Sequence, residues 1–132
     1  MAKILIVDDE AGIRLLVARA LRLEGHEVLT ADDGETALEV LVAAAGTIDA
    51  VLSDIRMPVM SGIELAHAIH AGFPELPVLL MTGYAEQREA ADDLTRIIRG
   101  VVDKPFTLAD IRRHMREILP DYTSEEPVRR MA

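Results

Sequence analysis

Short apolar runs alternate along this chain with stretches of helical periodicity, and this alternation restricts the possible folds more than any other feature of the sequence. Residues 4–7, 50–53 and 78–81 are the clearest runs, and residues 28–29 and 101–102 are shorter ones. Five strands that alternate with five helices predict an α/β fold. We expect its sheet to be mostly parallel, covered on both faces and connected by right-handed crossovers.

The helical stretches repeat apolar residues at intervals of three and four positions, which places those residues on one helix face. They cover approximately residues 13–21, 37–45, 65–69, 90–98 and 108–119. Thr107 is positioned to cap the start of the last one. The segment after it is polar and aperiodic. We therefore predict one domain over residues 1–119 and a mobile tail over residues 120–132.

The composition is typical of a single globular domain and disfavours several kinds of protein. Although 50% of the residues are hydrophobic, no apolar stretch is long enough to cross a bilayer, and the start lacks the features of a signal peptide. We therefore expect a cytoplasmic protein without a membrane anchor. The net charge of −9 disfavours direct binding to nucleic acid and favours a protein partner. The absence of cysteine excludes disulfides and thiolate chemistry.

Polar side chains stand at the ends of the predicted strands. Asp8 and Asp9 follow the first strand, Asp54 ends the third, Thr82 ends the fourth and Lys104 follows the fifth. Because parallel strands end at the same edge of a sheet, these groups are expected to converge there. A carboxylate can attack phosphorus to form an acyl phosphate, and clustered carboxylates favour an oxygen-seeking cation such as Mg²⁺. The pattern therefore predicts a site for a metal ion and a phosphoryl group.

Four local motifs occur in a fixed order on these strand ends. They are Asp8-Asp9-Glu10, then Asp54-Ile55-Arg56-Met57-Pro58 with Gly62 behind it, then Met81-Thr82-Gly83, then Lys104-Pro105-Phe106. In this combination the chain resembles the receiver domain of two-component response regulators, over approximately residues 3–119. The resemblance implies a flavodoxin-like, doubly wound (βα)5 fold whose five-stranded parallel sheet has the order 2-1-3-4-5.

The resemblance also implies roles around the metal. Asp54 is expected to be the phospho-acceptor. Asp9, Asp54 and the backbone carbonyl of Arg56 are expected to hold Mg²⁺ directly, with Asp8 acting through water. The chain is thus expected to catalyse only its own phosphorylation and dephosphorylation, and it is not expected to be an enzyme acting on other substrates.

Further roles concern the phosphoryl group after transfer. Lys104, the Thr82 hydroxyl and the Gly83 backbone N–H are expected to bind its oxygens. Arg56 and Tyr84, two positions after the acceptor and two after the threonine, are expected to tune the lifetime of the acyl phosphate.

A conformational switch is expected to connect the phosphoryl group to the surface. Thr82 takes part in it, together with the position three residues before the lysine. Many receivers carry Tyr or Phe at that position, whereas this chain has Val101. The partners implied are a sensor histidine kinase or phosphotransfer protein and a downstream protein target. We expect a monomer or a weak, phosphorylation-dependent dimer.

We expect a single-domain regulator that takes a phosphoryl group from a phosphohistidine and changes its surface for a protein partner. The same residues are compatible with three other kinds of protein. The first alternative is the N-terminal receiver of a longer transcriptional regulator. A haloacid-dehalogenase-like phosphatase also uses an aspartate nucleophile, Mg²⁺ and a lysine, but it needs a second aspartate at the position of Arg56. The third alternative is a pseudo-receiver that binds its partner without being phosphorylated, although every acceptor-site position is filled.

The four histidines are expected to lie on solvated surfaces rather than to bind metal or accept phosphoryl groups. His67 and His70 have a spacing that can bind metal on a helix, but no third ligand is near them in the sequence. His26 and His114 are isolated.

Overall fold

Five parallel strands form one sheet in this computed structural model, which describes residues 2–83, 91, 94, 96–104 and 107–119. The strands are β1 (Lys3–Val7), β2 (Glu27–Ala31), β3 (Ala50–Asp54), β4 (Val78–Thr82) and β5 (Gly100–Asp103). Their order across the sheet is β2-β1-β3-β4-β5, and every neighbouring pair is parallel. The predicted fold class and strand order are therefore confirmed.

Four helices connect or follow these strands within the described ranges. They are α1 (Ala11–Leu23), α2 (Gly34–Ala44), α3 (Gly62–Gly72) and α4 (Leu108–Ile118). The last one, α4, corresponds to the helix that was predicted as the fifth. The predicted fourth helix falls mostly on residues outside the described ranges, and so does the predicted tail. No helix of the described residues is long and apolar enough to cross a membrane.

Side chains of the central strands alternate between two apolar cores, one on each face of the sheet. Leu5 and Val7 of β1 point into the core beneath α2 and α3, whereas Ile4 and Ile6 point into the core beneath α1 and α4. All four are fully buried. Burial on both faces explains why these strands are continuously apolar in sequence.

Capping interactions define where two helices begin. Ser61 accepts a hydrogen bond from the Glu64 N–H, and the Glu64 carboxylate accepts one from the Ser61 N–H, at 3.2 and 2.9 Å. Thr107 and Asp110 form the same reciprocal pair at the start of α4. The predicted cap at Thr107 is thus confirmed. Such caps satisfy backbone donors that the first helical turn leaves without partners.

Several side chains differ from the expected pattern of burial. Leu16 and Val42, assigned to buried helix faces by periodicity, are 44% and 70% exposed. Each lies at the margin of its apolar stripe. Both are exposed because the helix face that contacts the sheet is narrower than the stripe. The expectation for His26 was wrong: this residue is 6% exposed, and its Nδ1 accepts a hydrogen bond from the Ala2 N–H at 3.3 Å. His67 is exposed as expected.

Candidate functional site

Two aspartates lie at the ends of the neighbouring central strands. Asp54 is the last residue of β3, and Asp8 directly follows β1. Backbone hydrogen bonds to neighbouring strands hold both strand ends in place. The Asp8 N–H donates to the Ala31 carbonyl of β2 at 3.2 Å, and the Ile55 N–H, directly after Asp54, donates to the Met81 carbonyl of β4 at 3.0 Å. Both side chains are therefore held inside the edge of the sheet, where Asp8 is 0% and Asp54 5% exposed.

Lys104 reaches these carboxylates from the end of β5. Its backbone N–H donates to the Thr82 carbonyl at 2.7 Å, which aligns the lysine with the end of β4. Its Nζ lies 3.3 Å from Asp54 Oδ1, 3.5 Å from Asp8 Oδ2 and 3.8 Å from Glu10 Oε1. One ammonium group thus contacts three carboxylates, so negative charge remains in excess at this edge.

The carboxylates also lie close to one another. Oxygen atoms of Asp8, Glu10 and Asp54 lie within 4.8 Å of each other. Glu10 also donates its backbone N–H to Asp8 Oδ1 at 2.9 Å. Asp9, for which the resemblance implied direct metal binding, is exposed and lies outside this group of three. Glu10 received no role from the sequence, and its only signal was its place in the Asp8-Asp9-Glu10 motif.

Burial and repulsion between carboxylates shift the protonation equilibria of the site. Burial, with a contribution from the charges of Asp54 and Asp9, raises the pKa of Asp8 from its ordinary 3.8 to about 6. Burial also raises the pKa of Asp54, although the nearby ammonium of Lys104 opposes the shift. Burial alone would lower the pKa of Lys104, but the charges of Asp54 and Asp8 outweigh it and raise that pKa. Lys104 is therefore a permanent cation at neutral pH.

The donor set suits a hard divalent cation. Mg²⁺ binds oxygen ligands at about 2.1 Å, so two opposed ligands are about 4.2 Å apart, and it usually keeps several waters. The oxygens of Asp8, Glu10 and Asp54, within 4.8 Å of one another, need only a small adjustment to reach this spacing. The ammonium of Lys104 already lies against the same oxygens, as expected where a cation is favoured. The residues present therefore fit Mg²⁺.

A glycine behind the acceptor fixes the loop between β3 and α3. The Gly62 N–H donates to the Ile55 carbonyl at 2.8 Å. A Cβ atom at Gly62 would collide with the Asp54 carbonyl and would lie 2.9 Å from Ile55 Cα. Only glycine allows this close approach, so Gly62 holds the backbone directly after Asp54 in place.

The residues predicted to bind phosphoryl oxygens end the neighbouring strand. Thr82 is the last residue of β4 and is 1% exposed, whereas Gly83 is exposed. The nearest atom to a Cβ at Gly83 would be Lys104 Cβ at 3.8 Å, an ordinary contact, so packing does not demand glycine there. The structure thus brings Thr82 and Gly83 to the same edge as Asp54 and Lys104.

The remaining predicted site residues are more scattered. The Arg56 side chain is exposed, two positions after the acceptor. Val101 lies in β5, half-buried against the core beneath α2 and α3. Tyr84 lies outside the described residues.

Comparison with known proteins places this chain in a family. The response regulator receiver domain family matches residues 4–116. Among curated proteins, response regulator protein FleR of Pseudomonas aeruginosa is 37% identical in an alignment of 131 positions, which covers 96% of this chain and 27% of FleR. The chain therefore spans about a quarter of the length of FleR.

Solved structures show the same similarity. The structure of a response regulator receiver domain protein from Clostridium thermocellum has a TM-score of 0.85 and 27% identity, covering 94% of this chain and 98% of that one. The response regulator protein TrrA from Thermotoga maritima, solved in complex with Mg²⁺–BeF, has a TM-score of 0.81 and 34% identity. That match covers 90% of this chain and 100% of TrrA.

Proposed function

The chain belongs to the response regulator receiver domain family of two-component signalling, and we propose that it accepts a phosphoryl group on Asp54 from a phosphohistidine. The observation that carries this proposal is the Asp54 carboxylate, 5% exposed, with Lys104 Nζ 3.3 Å from Oδ1 and further carboxylates beside it. The donor is a sensor histidine kinase or a phosphotransfer protein, the class of protein with which receiver domains interact.

Asp54 is a better nucleophile than its neighbour Asp8. Asp8 is fully buried, and one of its oxygens accepts a hydrogen bond from the Glu10 N–H. Asp54 lies closer to Lys104 and retains some exposure. An oxygen of Asp54 therefore attacks phosphorus, the acyl phosphate bond forms, and the bond from phosphorus to the histidine nitrogen breaks.

Positive charge and hydrogen-bond donors stabilise the transition state, in which charge spreads over the equatorial phosphoryl oxygens. Lys104 provides a permanent ammonium group for one oxygen. The Thr82 hydroxyl and the Gly83 N–H are donors for others. Charge-assisted hydrogen bonds are the stronger class, so Lys104 contributes more than either neutral donor.

We propose that Asp9, Asp54 and the backbone carbonyl of Arg56 hold Mg²⁺ directly, with Asp8 acting through water. Asp9 is exposed and lies outside the cluster of Asp8, Glu10 and Asp54, so its side chain has to turn toward Asp54 when the ion binds. Glu10 adds a carboxylate that lies in the cluster. When bound, Mg²⁺ neutralises the carboxylates and the incoming phosphoryl oxygens. The Mg²⁺–BeF complex of TrrA, a relative with 34% identity, supports this proposal.

The downstream role depends on what surrounds the domain. Since the chain spans 27% of FleR, it can serve as the receiver of a longer regulator as well as acting alone on a protein target. We propose a cytoplasmic location, residues 1–119 as the receiver, and a monomer or a weak dimer that forms on phosphorylation. We do not expect turnover of small phosphomonoesters, because Arg56 occupies the position where a haloacid-dehalogenase-like phosphatase needs an aspartate.

Intact mass measurement after incubation with acetyl phosphate tests the proposal. We expect one phosphoryl adduct with Mg²⁺ and none with EDTA, since uncompensated carboxylates repel the phosphoryl dianion. Asp54→Asn abolishes the adduct. The matched control is Asp49→Asn, directly before the first residue of the same strand, which leaves it intact. An adduct that forms equally well in EDTA, or that persists in Asp54→Asn, would refute the assignment.

A further inference from the structure

One residue of the loop after the acceptor has an unusual backbone conformation. Among the described residues, positive φ angles occur at Gly25, Gly46, Ala45 and Val59, with φ of 93°, 84°, 52° and 70°. Glycine tolerates such angles, and alanine carries only a small side chain. Valine is β-branched, and a positive φ makes it an outlier.

A tight turn imposes this conformation on Val59. The Met60 N–H donates to the Pro58 carbonyl at 2.7 Å, a bond across a single residue. With φ of 70° at the central residue, the turn is a γ-turn of the positive-φ form, which is rare and strained. Glycine or asparagine would adopt the same turn at lower cost.

Packing on either side of the tip holds the turn in place. Met57, before it, is buried in the core. Met60, after it, lies against α2 so closely that a Cβ at Gly34 would be 2.7 Å from its sulfur. The bond from the Gly62 N–H to the Ile55 carbonyl closes the loop. The fold therefore requires a turn at this point, but it does not require a valine there.

The side chain of Val59 gives the folded chain little packing in return for this strain. It is 82% exposed, the largest exposure among the large hydrophobic residues described. A strained backbone at a functional site is a sign that the residue serves something other than stability. The benefit of the isopropyl group therefore lies in a contact with another molecule.

The acceptor lies close to this side chain. Val59 is three residues from Gly62, a separation of at most about 11 Å, and Gly62 is hydrogen-bonded to the residue next to Asp54. A protein interface of ordinary size covers about 800 Å² per partner, which corresponds to a disc of roughly 16 Å radius. A protein that presents its phosphohistidine to Asp54 therefore extends over the loop tip.

We propose that Val59 is a specificity-determining contact for the protein that carries the phosphohistidine, whose surface buries the isopropyl group during transfer. This inference rests on the proposed function. The donor is the favoured occupant because in-line transfer forces it to cover the opening of the site, whereas a downstream target is free to bind another face. An apolar contact beside the reaction centre also distinguishes one donor protein from another.

The test compares a protein donor with a small one. The protein donor is the histidine-phosphorylated sensor kinase, from the same genome, that phosphorylates the wild-type chain fastest. Acetyl phosphate is the small donor. Val59→Asn keeps the turn, relieves the strain and removes the apolar group, whereas Val59→Ile keeps the apolar group. The matched control is Val42→Asn on α2, since Val42 is also exposed, at 70%.

Loss of one buried valine contact slows transfer from the kinase by about tenfold in Val59→Asn. We expect Val59→Ile and Val42→Asn to retain the wild-type rate, and all variants to react equally with acetyl phosphate. Val59→Asn also unfolds at a higher temperature than wild type, so a slower rate cannot result from misfolding. Unchanged transfer from the kinase, or an equal loss with both donors, overturns the inference. If no kinase phosphorylates the wild type while acetyl phosphate does, the inference fails and Asp54 remains an acceptor; if acetyl phosphate also fails, the proposed function itself fails.

Discussion

The carboxylate of Asp8 is buried beside other negative charges, and this placement makes the fold sensitive to pH. Its pKa rises from 3.8 to about 6, so the folded chain binds a proton more tightly than the unfolded chain does. The resulting stabilisation is fully present below about pH 4 and disappears as the pH rises through about 6. Without a metal ion, Asp8 therefore destabilises the fold at neutral pH.

Asp8→Asn removes this ionisation while keeping the shape of the side chain. At pH 7.5 in EDTA we expect its free energy of unfolding to exceed that of wild type by up to about 3 kcal/mol, since each pKa unit corresponds to about 1.4 kcal/mol. The difference should shrink between pH 6 and pH 4. Urea unfolding at several pH values measures it. Asp110→Asn is a control in which the change in the free energy of unfolding should have the opposite sign. The Thr107 N–H lowers the pKa of Asp110, so loss of this carboxylate should destabilise the fold at pH 7.5. A difference independent of pH would contradict this account.

The side chains two positions after Asp54 and two after Thr82 are expected to set the lifetime of the acyl phosphate. Arg56 is exposed beside the acceptor, and Tyr84 is a large side chain at the corresponding position after Thr82. We expect both to hinder the water that attacks phosphorus in line, because hydrolysis depends on its positioning. The double variant Arg56→Asn, Tyr84→Ala should lose its phosphoryl group faster than wild type, by intact mass over time. An equal or longer half-life would reject this role.

Individual side-chain directions were the least predictable feature of the site. Asp54 and Lys104 could be predicted because each follows an apolar strand and parallel strands end at one edge. Side chains alternate between the two faces of the sheet only as far as the strand extends. This pattern therefore does not decide which of Asp8, Asp9 and Glu10 point into the site. The positive φ of Val59 had no sequence signal either, since valine disfavours such angles.

The loop between β3 and α3 is the element that connects the acceptor to the rest of the fold. Gly62 packs directly against the Asp54 backbone, so an added methyl group would force the loop away from the strand. Gly62→Ala should lower the free energy of unfolding by about 3 kcal/mol, as expected for overpacking against backbone. It should also slow phosphorylation, because Asp54 would move.

Gly72, at the other end of the same helix, provides the control. A Cβ there would meet no atom within 4 Å, and the free energy of unfolding of Gly72→Ala should differ from that of wild type by less than about 1 kcal/mol. Chemical denaturation of both variants makes the comparison. Equal stability of the two would show that the close approach at Gly62 does not constrain the loop.

Helices were easier to predict than the burial of single residues, because the apolar spacing that indicates a helix recurs several times along it. Ile111 and Met115 recur at helical spacing and are both fully buried. Leu16 and Val42 share the same periodicity but lie at the margins of their stripes. Periodicity identifies a helix and its apolar side, while the width of the contact depends on the neighbouring strands. Burial of His26 had no signal of this kind, because it arises from the path of the chain around Ala2.

At the scale of the whole molecule, the alternation of strands and helices predicted a parallel sheet, but it did not predict the order of the strands. Several orders satisfy the same alternation, and the observed order followed from the resemblance. The order matters for function because it makes β1 and β3 neighbours, with β4 and β5 beyond them. Asp8, Asp54 and Lys104 meet for this reason.

Phosphorylation is expected to change the molecule through the backbone rather than through Val101. Val101 is half-buried against the core, and a β-branched side chain has few χ1 states and little reach. Beryllofluoride with Mg²⁺ should therefore alter amide exchange over residues 83–99. Asp54→Asn should remove the effect. Changes confined to the site, with residues 83–99 silent, would exclude this relay.

The central claim, that Asp54 itself becomes phosphorylated, is tested most directly by chemical trapping. The chain is incubated with acetyl phosphate and Mg²⁺, reduced with borohydride and digested, and its peptides are sequenced by mass spectrometry. Borohydride converts an aspartyl phosphate to homoserine, so we predict homoserine at position 54 and unchanged aspartate at positions 8 and 9. Homoserine at position 8 or 9, or its absence from position 54 in a sample that carries the phosphoryl adduct, would contradict the account.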